Sequence, residues 1–259
     1  MSDDARLARA VRRGARATGF AAVTALMLPA YAARDILATD STRDAVRDLW
    51  VRRWSTTLLR LFAIEVITLG EATTTTRGRL VVANHRSTID VGILLRLFGG
   101  RMVSRADLSN WPLLGAAARR VGTVFVDRED AASGANAIRE IRQLLKNGHT
   151  VNLFAEGTTF ADDEVRPFHA GAFVAALRTG ADIVPVGIAY ERGSGAQFVG
   201  ESFLTHLSRL AAAKPTRVVV TVGAPIPTVG STRANELKDR THARVQELVR
   251  DARARVDAR

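Results

Sequence analysis

The chain has 259 residues, enough for one large domain or one domain with an appendage, and 47% of them are hydrophobic, which excludes wholesale disorder. Thirty-seven Lys and Arg against 26 Asp and Glu give a net charge of +11, which favours anionic partners: nucleic acid, acidic lipid headgroups, phosphorylated substrates or an acidic carrier protein. The absence of cysteine excludes disulfides, thiolate catalysis and Cys-zinc sites. Only three lysines occur (Lys146, Lys214 and Lys238), so the positive charge is an Arg bias, and single Arg residues are not read as phosphate clamps on that ground.

Residues 5 to 34 carry six Arg and no acid, and Arg6, Arg9, Arg12, Arg13 and Arg16 precede an uncharged run from Ala17 to Ala33. At seventeen residues the run is at the lower edge of a membrane-spanning helix, and it also suits a helix lying in the interface. A basic stretch before an apolar run is equally the pattern of a secretory signal peptide, although this run is long for one. Asp40 to Phe62 reads as a second helix, with Val46, Trp50, Trp54, Leu58 and Phe62 on one face and Arg43, Arg47, Arg52, Arg53 and Arg60 around the rest. That composition fits a helix on anionic lipid or one packed on its own domain. Residues 1–70 are expected to be a two-helix membrane-docking segment, and 71–259 the main domain, after the Thr-rich stretch from Glu71 to Arg79.

From there strands and helices alternate. Strands are expected at Leu80–Ala83, Arg101–Ser104, Gly122–Val126, Thr150–Phe154, Ile183–Tyr190 and Arg217–Val222. Helices are expected at Ile89–Phe98, Asn110–Arg119 (with Trp111-Pro112 at its start), Ser133–Asn147, Phe168–Arg178 and Asn235–Val256. The alternation predicts an α/β fold with a mixed, largely parallel sheet flanked by helices.

The chemistry is expected at the turn Asn84-His85-Arg86-Ser87-Thr88-Ile89-Asp90, between the first of these strands and its helix, because open α/β sheets place sites at the carboxyl ends of strands. A neutral imidazole takes a proton near pH 7, and a carboxylate fixes its tautomer. The plain alternative is that Asp90 charges a helix N-terminus and His85 caps a turn. Three more stretches are candidate site loops: Phe125-Val126-Asp127-Arg128, Phe154-Ala155-Glu156-Gly157-Thr158-Thr159, and Val184-Pro185-Val186, whose proline would break a central ladder.

In this order and spacing the four blocks resemble the glycerolipid acyltransferases, typified by 1-acylglycerol-3-phosphate acyltransferase. Ser104-Arg105-Ala106-Asp107-Leu108, Trp111-Pro112-Leu113-Leu114-Gly115 and Gly223-Ala224-Pro225-Ile226 match further segments, so the resemblance covers about residues 75 to 230. It implies that His85 is the general base and Asp90 its orienting partner. It implies that Asp127 and Arg128 line the acceptor pocket, with Arg105, Thr158 and Thr159 also binding substrate. Glu156 and Gly157 would shape the acceptor site and support the catalytic loop, and Pro185 would lie on the acyl channel wall. Phosphate-recognising members carry Arg where this chain has Thr159, which weakens a phosphate acceptor because Thr cannot bind phosphate bidentately.

The implied reaction is acyl transfer from acyl-CoA or acyl carrier protein to a lyso-lipid hydroxyl. The expected acceptor is 1-acylglycerol-3-phosphate, with a non-phosphate lyso-lipid such as lyso-ornithine lipid as the alternative. Backbone N–H groups of the 85–90 turn are candidate donors to the oxyanion. The expected location is the cytoplasmic face of the inner membrane, on an anionic surface. No cofactor or metal is expected, since five His at 85, 149, 169, 206 and 242 have no ligand spacing. No nucleic acid is expected either, because no nucleic-acid-binding motif accompanies the charge. A lipid-binding protein without turnover is the rival; a serine hydrolase fails for want of Gly-x-Ser-x-Gly.

Overall fold

The structure, a computed structural model, describes all residues except 1, 2, 73–77, 112, 128 and 259. Two helices, α1 (Asp3–Ile36) and α2 (Asp40–Leu61), come first and lead into strand β1 (Ile64–Leu69). Next come β2 (Arg79–Ala83), α3 (Ile89–Phe98), β3 (Arg101–Arg105), a 3-10 turn (Ala106–Asn110), α4 (Leu114–Arg120), β4 (Val124–Val126) and α5 (Ala131–Lys146). The chain ends with β5 (Thr150–Phe154), α6 (Gly171–Thr179), β6 (Asp182–Tyr190), α7 (Phe203–Ala212), β7 (Thr216–Val222) and α8 (Ala234–Asp257).

The strands form one seven-stranded sheet in the order β1-β7-β6-β2-β5-β3-β4. Every pairing is parallel except β6 with β7, so β1 and β7 run against the other five. β2 is central and buried along its whole length, which is why Leu80-Val81-Val82-Ala83 reads as a continuous apolar run. One face of the sheet packs on α2, α3 and α7, through Val51, Leu59, Ile93, Leu94 and Leu210, with Phe20 of α1 against them. The other packs on α5, α6 and α8, through Ile141, Leu145, Phe173, Leu237 and Val245. α5 shows how local sequence sets this: Asp130 caps it by accepting from the Ala132 N–H at 2.8 Å, and Ala137, Ile141 and Leu145 recur every fourth residue on its buried face.

Several expectations are corrected. The helix expected at 110–119 is split into the 3-10 turn and α4, and Pro112 lies outside the described residues. Gly115 is required there, because a Cβ would stand 2.3 Å from the Ser109 carbonyl oxygen. β1 and α7 were not expected at all. Pro185 does not break the ladder although β6 is a central strand. Its carbonyl accepts from the Gly223 N–H at 2.9 Å, so its missing N–H faces β7, just beyond the pairing that starts at Val186 and Val222.

The N-terminal helices share the core of the domain. Arg12 Nε and Arg16 Nη1 donate to the Ala212 and Ala213 carbonyls at 3.2 and 2.7 Å, capping the C-terminus of α7 with positive charge. Arg52 does the same for α3, donating to the Arg96 and Leu97 carbonyls. Of the two readings of α2, the aromatic face packs on its own domain, where Trp54 Nε1 donates to Thr24 Oγ1 of α1 at 3.1 Å. Among the described residues no helix is long and apolar enough to cross a membrane.

Candidate active site

The turn between β2 and α3 is fastened before it begins. Asn84 is buried and bonds β6 both ways: its Nδ2 donates to the Ile188 carbonyl at 2.9 Å, and the Ile188 N–H donates to its Oδ1 at 2.8 Å. Asp90, in the first turn of α3, is completely buried. Its Oδ2 lies 3.0 Å from His85 Nδ1 and accepts from the N–H groups of Arg86 and Ser87 at 2.7 and 2.8 Å. Its Oδ1 accepts from the Tyr190 hydroxyl. Burial and the adjacent carboxylate raise the Tyr190 pKa well above its ordinary value, so the phenol stays protonated as a donor. A buried carboxylate without partners would be costly; four donors at a helix N-terminus offset that cost.

Asp90 accepts only, so His85 Nδ1 carries the proton and Nε2 holds the free lone pair. The ring lies flat on Phe154, with centroids 3.8 Å apart and planes within 3°. The side chain is 18% exposed, which leaves one edge of an otherwise fixed ring accessible.

A second buried carboxylate holds the turn from below. Glu156 Oε1 accepts from the His85 N–H at 2.7 Å and from Arg86 Nη1 at 3.1 Å, and Oε2 accepts from the Arg166 N–H at 2.9 Å. Arg86 also donates to the carbonyls of His85 and Glu164 at 2.7 and 3.0 Å. The backbone N–H groups of residues 85, 86 and 87 are therefore all committed to carboxylates, which removes these three from the candidate donors to an oxyanion in the 85–90 turn.

A cavity of about 650 Å³ opens at His85, within the range of roughly 300–1,000 Å³ for small-molecule sites. Its walls are mostly apolar and come from α1, α2, α3, α4 and α7, including Trp50, Trp54, Leu58 and Phe203, with Trp111 from the turn before α4. Besides His85, its charged lining among the described residues is Arg105, Asp107 and Glu201. Among the described residues no group of three or more His, Asp or Glu side chains could hold a metal ion.

A family model described as Acyltransferase matches residues 65–189. A lyso-ornithine lipid O-acyltransferase of Pseudomonas aeruginosa is 33% identical over 196 residues, covering 73% of this chain and 74% of that protein. The chain belongs to the acyltransferase family. A 1-acyl-sn-glycerol-3-phosphate acyltransferase of Neisseria gonorrhoeae is 26% identical over 179 residues, covering 67% of this chain and 70% of that protein. The fold matches the crystal structure of the 1-acyl-sn-glycerophosphate acyltransferase from Thermotoga maritima, with a TM-score of 0.73 over 95% of this chain and 98% of that one, at 21% identity.

In this acyltransferase Arg105, Gly157, Thr158 and Thr159 line the cavity with His85. Thr159 Oγ1 donates to the Phe198 carbonyl. Glu156 supports the turn carrying His85 but does not line the cavity; its oxygens accept from the His85 and Arg166 N–H groups and from Arg86. Asp127 is exposed and does not line it either; its N–H donates to Ser133 Oγ and its Oδ1 accepts from the Glu129 N–H, which makes it a turn residue before α5. Pro185 is buried on the same strand face as Ile183, towards α6 and α8, and forms no part of the cavity wall. Arg128 lies outside the described residues. Sequence reasoning gave no individual role to Asn84, Arg86, Phe154 or Tyr190. The first two adjoin His85 and the third ends a strand beside it, so proximity alone was a usable signal; nothing local marked Tyr190.

Proposed function

We propose that the protein transfers a fatty acyl group from an acyl thioester, acyl-CoA or acyl carrier protein, to the hydroxyl of a lyso-lipid. The observation that carries this reading is the Asp90–His85 pair, with His85 lining a largely apolar cavity sized for a chain-bearing substrate. His85 Nε2 takes the acceptor's hydroxyl proton as its oxygen attacks the thioester carbonyl. The tetrahedral intermediate collapses with loss of the thiolate, which leaves with the proton from His85. Asp90 stabilises the imidazolium in between, and general base assistance of this kind is worth roughly 10²–10⁴-fold.

The relatives are named for two acceptors, lyso-ornithine lipid and 1-acylglycerol-3-phosphate. The sequence alone leans to the phosphate; the charges around the cavity favour the other. Arg105 is paired with Asp107 at 3.1 Å, so that stretch of the wall presents a cation and a carboxylate together. An amino-acid headgroup, with its own carboxylate and ammonium, matches that pair better than a phosphate dianion does, and Thr159 adds no charge. The test is kinetics of the purified protein with both lyso-lipids, with products identified by mass. A kcat/KM at least about tenfold higher for lyso-ornithine lipid is expected, about 1.4 kcal/mol of discrimination. The reverse preference overturns the acceptor, and no acyl transfer to either overturns the reaction.

The same reading places the enzyme on an anionic membrane, at the cytoplasmic face of the inner membrane. α1 supports this, with Leu7 and Val11 exposed beside Arg6, Arg9 and Arg13, and Leu26 exposed farther along the same helix. Leu7→Asp with Leu26→Asp should weaken sedimentation with anionic vesicles, and unchanged sedimentation would overturn the docking role of α1. Point changes suit this better than truncation, because α1 walls the cavity.

A further inference from the structure

Outside the catalytic pair, one buried imidazole has a complete set of partners and no part in the chemistry above. His206, in the first turn of α7, is fully buried. Its Nδ1 lies 2.9 Å from Glu201 Oε1 and its Nε2 lies 3.5 Å from Ser87 Oγ, the long limit of a hydrogen bond. Arg209 Nη2 is 3.0 Å from the same Nδ1, but it donates to Glu201 Oε1 and to the Gln197 carbonyl. Both its hydrogens are thereby used, so the Nδ1 proton belongs to His206 and points at Glu201. Burial lowers the His206 pKa and keeps the ring neutral at pH 7, so Nε2 faces the Ser87 hydroxyl as an acceptor, and Ser87 also shares a side-chain hydrogen bond with Tyr190, the phenol on Asp90.

Both ends of this array lead somewhere. Ser87 gives its N–H to Asp90 Oδ2, the oxygen that orients His85, and its Oγ accepts from the Ile89 N–H. At the other end, Glu201, Ser202 and Phe198 line the cavity, and the Phe198 ring packs on His206 with centroids 4.6 Å apart. The Phe198 N–H also donates to the Arg86 carbonyl at 2.8 Å. The cavity wall at 198–202 and the catalytic turn therefore meet twice, once through backbone and once through His206.

We propose that His206 is a positioning residue for acyl transfer, which holds the Ser87 hydroxyl and couples the 198–202 wall to the turn carrying Asp90 and His85. This rests on the reading of His85 as the base. Ser87 itself is fully buried and does not line the cavity, so it is not a nucleophile.

The test is acyl-transfer kinetics of full-length His206→Leu, His206→Gln and Ser87→Ala, with thermal unfolding measured for each. His206→Leu should lower kcat by roughly 10- to 100-fold, the scale of a small misplacement of a catalytic group, with little change in KM. His206→Gln, which keeps an acceptor near Ser87, should recover most of the rate. In a Ser87→Ala background His206→Leu should cost little more, since the link is already cut. If His206→Leu does not fold, Ser87→Ala carries the test: it should lower kcat with little change in KM, and wild-type kcat in folded Ser87→Ala overturns the proposal. Wild-type kcat in folded His206→Leu, a Gln variant as slow as Leu, or losses that multiply with Ser87→Ala would overturn the proposal while leaving wild-type acyl transfer intact. A wild-type protein with no acyl-transfer activity would instead remove the reading beneath it.

Discussion

At the carboxyl end of β2, Asp90 and Glu156 are buried with every carboxylate oxygen bonded, and Arg86 bonds Glu156 and two carbonyls. At the opposite end of the sheet, Arg47, Arg79 and Arg101 gather near the starts of β2 and β3, with Asp44 and Asp48 from α2 and His149 before β5. Each end holds buried guanidinium nitrogens with no hydrogen-bond partner among the described residues, Arg86 Nε at the first and Arg47 Nε and Arg101 Nη1 at the second, but the acids differ: the Asp44 side chain is 47% exposed, whereas Asp90 and Glu156 are buried. Burial alone would raise the Asp44 pKa, but Arg47, His149 and Arg101 outweigh it and hold it below its ordinary value. His149 is pushed down by burial and by Arg101. The difference separates two uses of buried charge. Buried carboxylates with every oxygen bonded fix the geometry of the turn they hold, whereas half-exposed ones anchor a helix against strand ends and tolerate water at the edge.

The largest effect expected is on activity at the carboxyl end of β2. His85→Ala should lower kcat by roughly 10²–10⁴-fold in a protein that still folds, because Asp90 keeps its bonds from the Arg86 and Ser87 N–H groups and from Tyr190 when the ring is lost. Next is stability. Glu156→Gln breaks the buried pair with Arg86 and should cost about 3–5 kcal/mol in urea unfolding. Arg47→Met, at the opposite end of the sheet, should cost only about 1 kcal/mol, since its carboxylate partners are half-exposed. Equal losses at the two ends would dissolve the contrast.

The smallest effect expected is on pH dependence. His149 has a folded pKa below its unfolded value of about 6.5. The unfolded chain therefore binds the proton first, so stability is full above that pH and falls as the pH drops through about 6.5 towards the folded pKa. His149→Gln should reduce that slope in urea midpoints compared between pH 7.5 and 5.5. Some slope should persist, because His206 is shifted in the same direction. An unchanged slope would show that this end of the sheet does not sense protonation.

Much of this was legible in the sequence. The central strands are continuous apolar runs and helices such as α5 have periodic faces, so the α/β order was recoverable. The pairing of His85 with Asp90 was legible because both stand on one strand-to-helix turn, five positions apart. Periodicity shows that Trp50, Trp54 and Leu58 share a face, but not what the face meets; they line the cavity. Spacing likewise cannot tell a cavity-facing residue from one behind it. That is why Glu156, Asp127 and Pro185 were grouped with Thr159 although the structure separates them. Tyr190 and His206 reach the site only through tertiary packing, at 100 and 119 residues from their partners Asp90 and Ser87. β1 depends on pairing with β7 far along the chain, which no local pattern announces.

The central claim is that Asp90 acts through His85 on the acceptor hydroxyl. It is tested most directly by kcat for His85→Ala, Asp90→Asn and the double variant, each with a lyso-lipid acceptor and a folding control. Each single change should lower kcat, and the double should be no slower than His85→Ala alone, because the carboxylate has nothing left to orient. Losses that multiply in the double variant, or wild-type turnover in folded His85→Ala, would contradict it.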